Sequence, residues 1–161
     1  MKFREYVCFE AAIAKLQSTD RDAIIEELVS SLDKNNAIPS NHSKSIAKAI
    51  IKRENEASTG MGKGVAIPHV KHKSIKNIVA TIGLSEEGID FLALDKHPVH
   101  SVILLISPLD DPDKHLQAME NIFTHLQQEK FRKFLRQCSN IEQIKDLLLE
   151  ADEDPTLSGN G

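Results

Sequence analysis

Hydrophobic positions recur at helical spacing at both ends of the chain and gather into short contiguous runs in the middle. From Asp20 onward, Ile24, Leu28 and Leu32 fall on one face and predict a helix. Thr19 with Asp22 three residues on resembles a capping box at its start, and Asn35, Asn36 and Pro39 end it. A second helix is expected from about Ser40, with Ile46, Ala49 and Ile50 inward and Arg53 and Glu54 in its last turns. Ser58 to Gly64 holds three glycines in five positions and cannot be a stable helix. It leads into Val65-Ala66-Ile67-Pro68-His69, an apolar run that proline should stop, leaving His69 at the strand's mouth.

Further strands are expected over Ile78 to Leu84 and over Val99 to Ile106, the latter aliphatic enough to be buried on both faces. Gly88 to Phe91 reads as a short hairpin arm, and Ser107 to Asp113 as a polar loop. Helical faces return as Leu116, Met119, Phe123 and Leu126, then Phe131, Phe134, Leu135 and Cys138, then Ile141, Ile144 and Leu148. Ser139 and Glu142 are spaced as a capping box for the last of these. Helices, strands and helices in that order imply an α/β fold of the α+β type, a mixed β-sheet between helical layers. The segments between the strands are too short for repeated crossovers, which argues against a purely parallel sheet. Residues 1–151 form one domain, and the acidic 152–161 a tail expected to be disordered.

Composition narrows the classes. At 161 residues, 40% apolar and 27% charged, the chain suits one soluble domain with a sizeable core. A net charge of −4 gives no basic footprint for nucleic acid, and six Phe, one Tyr and no Trp give little to stack bases on. The aliphatic run from Val102 to Ile106 is far short of the roughly 20 residues that span a bilayer, and charges fill the first residues where a signal peptide needs an apolar stretch. No membrane insertion is expected. Cys8 and Cys138 form no short-range pair, and a reduced, cytoplasmic protein is the expectation.

Candidate chemistry centres on histidine. Neither His69 with His72 nor His97 with His100 has partners at metal-ligand spacing, and Lys71 and Lys73 flank His72. Structural or solvated roles are expected for His42, His72, His97, His100 and His125. The glycine run lacks the ending of a phosphate-binding P-loop and the dinucleotide spacing; it reads either as a turn or as backbone offering amides to an anion. No acidic residue occurs between Glu56 and Glu86, whereas Lys63, His69, Lys71, His72, Lys73 and Lys76 do, with Arg53 just upstream. Such a basic stretch on an acidic chain suits a phosphoryl group. His115 falls in the first turn of the helix after Pro108, where free amides and the helix dipole favour an anion. The strand before it can bring that helix start beside the Pro68-His69 corner.

Arg53-Glu54 followed by Ser58-Thr59-Gly60-Met61-Gly62-Lys63-Gly64-Val65-Ala66-Ile67-Pro68-His69 resembles the signature of enzyme IIA domains of the bacterial phosphotransferase system, in the mannitol, fructose and nitrogen-regulatory branch. Agreement continues through Ile89-Asp90-Phe91, Leu94-Asp95, Pro98-Val99, Ser107-Pro108 and His115-Leu116, and runs from about Asp20 to about Ala151. The resemblance implies a three-layer α/β/α sandwich around a mixed sheet. It implies that His69 is the phosphoacceptor, at its tele nitrogen, that His115 is a second active-site histidine stabilising the phosphoryl group, and that Arg53 with Thr59, Gly60 and Gly62 binds that group. Lys63, Val70-Lys71 and His100 depart from the commoner pattern.

By the same resemblance, the phosphoryl donor is the carrier HPr or its nitrogen-branch counterpart, and the downstream partner is a IIB domain or a regulated protein. No cofactor or metal is called for, because the donor is already a phosphohistidine. The chain is a phosphotransferase component rather than a stand-alone enzyme. With no IIB, IIC or HPr domain fused to it, a nitrogen-type regulatory role is the first expectation. A sugar-specific carrier is the alternative, and a histidine-rich metal-binding protein the alternative from another class.

Overall fold

The structure, a computed structural model, describes residues 1–154. Helix α1 (Arg21–Lys34) buries Ile24, Ile25, Leu28, Val29 and Leu32. Its cap is Asp20, whose carboxylate accepts from the Ala23 amide at 2.9 Å, so the expected Thr19 box gives way to a cap one residue later. Helix α2 (Ser43–Glu56) follows a single 3-10 turn at Ser40–His42 and buries Ile46, Ala47 and Ile50, with Ala49 only half-buried.

Among the described residues five strands form one mixed sheet: β1 (Gly60–Gly62), β2 (Val65–Ala66), β3 (His69–His72), β4 (Val79–Ile89) and β5 (Val99–Pro108). Strand β5 is central. Along one edge it pairs antiparallel with β4; along the other it pairs parallel first with β2, Val65 opposite Ser101, and then with β3, His69 opposite Leu105. The strand expected to end at Pro68 is therefore interrupted and resumes. Proline cannot donate to the ladder, but its carbonyl accepts from the Leu105 amide at 3.0 Å and keeps the break in register. The glycine run is no loose turn either, since β1 folds back antiparallel on β2. Gly88 and Ile89 belong to β4, reached through a register shift, rather than to a separate hairpin arm. Isolated parallel bridges from Val7 to Ala80 and from Ile13 to Gly83 place the N-terminal segment along the outer edge of β4.

Alternation along β5 divides the core into two layers. Ile103 and Leu105 pack with Ala118, Ile122, Phe131, Leu135 and Leu148, while Val102, Leu104 and Ile106 pack with the buried faces of α1 and α2. The first layer is supplied by α3 (Pro112–Leu126), α4 (Glu129–Gln137) and α5 (Ile141–Glu153). The result is the expected α/β/α sandwich.

The inner face of α3 differs from expectation. Ala118, Ile122, His125 and Leu126 are buried, whereas Leu116 is 58% and Phe123 38% exposed. The true face lies about one residue back, because it includes the polar His115 and His125, which an apolar count passes over. Phe134 and Ile141 are likewise at the surface, while Leu147 and Ala151 are inside. Helix α5 is capped by Asn140, which accepts from the Gln143 amide, and Gln143 reaches back to Ser139; the Ser139–Glu142 box does not form. Asp152 and Glu153, assigned to the tail, complete α5, and the Asp152 carboxylate accepts from the Phe3 and Arg4 amides at 2.7 and 3.0 Å. Asp154 caps the end of α5, its amide donating to the Glu150 carbonyl at 2.8 Å, and residues 155–161 of the tail lie outside the described residues.

Candidate active site

The parallel pairing of β3 with β5 carries His69 toward the C-terminal end of β5, and the chain then turns through Leu109 to Asp111 into α3. Asp111 caps that helix by accepting from the Lys114 amide, and His115 occupies its first turn. The two histidines meet with ring centroids 5.5 Å apart at 45°. Two residues 46 positions apart in sequence are thus joined by the register of one sheet and one short turn.

Each ring is held by its Nδ1. His69 Nδ1 lies 2.8 Å from the Ile67 carbonyl oxygen. A carbonyl only accepts, so Nδ1 carries the proton and Nε2 of the neutral ring keeps its lone pair. His115 Nδ1 lies 2.6 Å from the Ser107 hydroxyl, and Ser107 is fully buried.

Burial, above all, lowers the His69 pKa below the ordinary histidine value, with Arg53 and Lys71 acting the same way and the Ile67 hydrogen bond and Glu54 opposing. His115 is lowered to about 4, by burial first and then by His69 and Lys71. Both rings are consequently neutral near pH 7, the state in which an imidazole nitrogen is a nucleophile. None of the carboxylates of Asp110, Asp111 or Asp113 is among the groups that shift His69.

Arg53, in the last turn of α2, donates from Nη1 to the Ala57 carbonyl at 2.9 Å and stands close enough for its charge to act on His69. Beside it, Glu54 is 2% exposed and accepts from both the amide and the hydroxyl of Thr59, at 2.5 and 2.7 Å. The Gly60 amide donates to Ser58 Oγ at 3.0 Å, and a Cβ on Gly60 would sit 2.8 Å from that of Ala93. Gly62, at φ +88°, faces the Asp95 carboxylate, which also accepts from the Lys63 amide. In this conformation the amides of Thr59 and Gly60 are engaged inside the loop and Gly62 looks onto an anion. The Thr59 and Gly60 amides are thus taken up by Glu54 and Ser58 in this conformation, and Gly60 and Gly62 lie close against residues 93–95. Lys63 lies at the other end of β5, where Gly64 accepts from the His100 and Ser101 amides, so the basic run is not collected at one point.

Sequence reasoning placed His69, His115 and Arg53 but gave no role to Glu54, Ser107 or the Ile67 carbonyl. The adjacency of Glu54 to Arg53 and of Ser107 to Pro108 was the available signal. The other histidines are engaged elsewhere. His72 bonds Ser74 through Nδ1 and Ser45 through Nε2, tying β3 to α2, and its pKa is lowered chiefly by burial. His100 bonds the Ser85 carbonyl, and His125 bonds that of Asn121 while packing against Phe3. Among the described residues no group of three or more His, Cys, Asp or Glu side chains is arranged to hold a metal ion. No helix among them is long and apolar enough to cross a membrane.

Comparison with known proteins gives four informative likenesses. A family model described as phosphoenolpyruvate-dependent sugar phosphotransferase system, EIIA 2, matches residues 9–151. The fructose-specific EIIABC component of Bacillus subtilis (strain 168) is 32% identical over 153 residues, 95% of this chain but only 24% of that protein. A nitrogen regulatory protein of Bradyrhizobium diazoefficiens is 27% identical over 148 residues, covering 92% of this chain and 95% of the relative. Among solved structures, the nitrogen regulatory protein IIA-Ntr of Neisseria meningitidis superposes with a TM-score of 0.80 at 24% identity, covering 89% of this chain and 97% of that one, a likeness of fold.

Proposed function

The chain belongs to the EIIA type 2 family of the phosphoenolpyruvate-dependent sugar phosphotransferase system, and from that premise we propose that it carries a phosphoryl group on Nε2, the tele nitrogen, of His69. The observation that carries this reading is the His69 ring itself: neutral, held through Nδ1 by the Ile67 carbonyl, and 5.5 Å from a second histidine. In the transfer, the P–N bond of the donor phosphohistidine breaks as the lone pair of His69 Nε2 forms a new one to phosphorus. The donor ring, protonated on its other nitrogen, leaves with its bonding pair as neutral imidazole. His69 acquires positive charge, and the Nδ1–H bond to Ile67 strengthens as it does so. The protein is asked mainly for positioning and charge stabilisation. Arg53 and Lys71 supply positive charge beside the site, and His115 meets the phosphoryl oxygens.

The donor is a phosphohistidine carrier of the HPr type or its nitrogen-branch counterpart, and the setting is the cytoplasm, where such donors operate. The near full-length correspondence with a nitrogen regulatory protein supports a regulatory role, in which the phosphorylation state of His69 selects the partner. The 32% identity to a fructose-specific component supports the second reading, delivery of the phosphoryl group to a IIB domain.

One experiment tests the carrier reading. Incubated with enzyme I, an HPr-type carrier and phosphoenolpyruvate, the protein becomes an acid-labile, base-stable phosphoprotein. His69→Ala takes up nothing, and His115→Ala is phosphorylated more slowly. Undiminished labelling of His69→Ala overturns the reading. Onward transfer to a IIB domain at catalytic rates would favour the sugar-specific role over the regulatory one.

A further inference from the structure

We propose that Ser107 sets the tautomer of His115, so that this ring presents an Nε2–H donor to the phosphoryl group on His69; the proposal rests on the carrier reading above. Ser107 is the penultimate residue of β5, paired in the ladder opposite Lys71 and fully buried. Its hydroxyl lies 2.6 Å from His115 Nδ1, and among the described residues it has no other side-chain hydrogen-bond partner. A hydroxyl carries one proton and two lone pairs. A buried proton left without an acceptor is costly, whereas an unused lone pair is tolerated more readily. The single partner is therefore matched to the proton, and Ser107 donates to Nδ1.

The rest follows from the chemistry of imidazole. A neutral ring that accepts at Nδ1 must carry its own proton on Nε2. His115 is neutral at physiological pH because burial and the neighbouring His69 and Lys71 disfavour its charged form. It cannot supply a donor at both nitrogens, so which one bears the proton decides what the site sees.

The Ile67 carbonyl imposes the opposite tautomer on His69. One ring then presents a lone pair and its neighbour, 5.5 Å away between centroids, presents an N–H. The lone pair attacks phosphorus, and the N–H meets an equatorial phosphoryl oxygen. With the proton on Nδ1 instead, His115 would turn a lone pair toward an anion and repel it. Ser107 acts through His115 and is a positioning residue.

The test is a long-range proton–nitrogen correlation spectrum of the histidine rings at neutral pH, read beside the rate of phosphoryl uptake from the carrier. The wild type is expected to show His69 protonated on Nδ1 and His115 on Nε2. In Ser107→Ala, His115 should shift to a mixture of tautomers and uptake should slow by about five- to tenfold, the worth of one ordinary hydrogen bond, with the His69 tautomer unchanged. Ser107→Thr, which keeps the hydroxyl, should restore both. A wild-type His115 protonated on Nδ1 overturns the proposal, as does a Ser107→Ala variant with unaltered tautomer or unaltered rate. Failure of the wild type to be phosphorylated on His69 would overturn the carrier reading instead, leaving the ring spectrum to decide the role of Ser107.

Discussion

Glu54→Gln separates the structural work of the Arg53-Glu54 pair from its electrostatic work. The Glu54 carboxylate is almost wholly buried and accepts two hydrogen bonds from Thr59, while no cation pairs with it at ion-pair distance among the described residues. Glutamine keeps the shape but has one acceptor oxygen, and its amide nitrogen must face the second donor. One charge-assisted bond is lost, at about 1.5–3 kcal/mol, and the other becomes an ordinary neutral one. The sum is about 2–4 kcal/mol, which at this chain length lowers Tm by about 5–15 °C. The same change removes a negative charge that holds the His69 pKa up. Burial and Arg53 then act with less opposition, the charged imidazolium is disfavoured further, and the His69 pKa falls below its wild-type value. Thermal unfolding measures the first effect and NMR titration of the His69 ring the second. An unchanged Tm would show that the clamp on Thr59 contributes little. A His69 pKa that stayed put or rose would refute the assigned electrostatics.

The folded-state pKa of His115, about 4, lies below the value of about 6.5 expected in the unfolded chain. The unfolded chain therefore takes up the proton first, and stability declines as pH drops from about 6.5, with the loss complete near 4. The full shift corresponds to about 3 kcal/mol, reduced to about 1–2 by solvent at this half-buried ring. Urea unfolding across that range should show the decline in the wild type and a flatter profile in His115→Asn; equal slopes would contradict it. Gly60→Ala should destabilise the fold by about 1–3 kcal/mol, because the new Cβ would meet the Cβ of Ala93 at 2.8 Å and its Cα at 3.0 Å. The His69 titration should stay in place, and a variant of wild-type stability would show that the 93–95 segment yields easily.

Much of the architecture was legible in order along the chain. The aliphatic run from Val99 read as a buried central strand, as it is, and its neighbours on either side had the periodicities of a sheet covered by helices. The Ile67-Pro68-His69 corner drew attention to His69 for a local reason: a proline within a strand breaks the ladder and leaves the next side chain at the break. His115 was found from its place in a helix start, again a property of a few adjacent residues. What depended on tertiary contact was not legible. The inner face of α3 was misjudged by about one residue because His115 and His125 turn inward, and only their hydrogen bonds to Ser107 and to the Asn121 carbonyl make that tolerable. The glycine run read either as a turn or as an anion-facing backbone, and only packing shows that the Thr59 and Gly60 amides donate to Glu54 and Ser58. Glu54 and Ser107 gain their meaning from partners brought close by packing and sheet register, and a buried polar group is stable only where such a partner is in reach. Sequence periodicity determines which residues share an element. Which polar atoms meet across elements, and hence which nitrogen of His69 and of His115 is held by a hydrogen bond, is decided when the sheet registers and the helices dock.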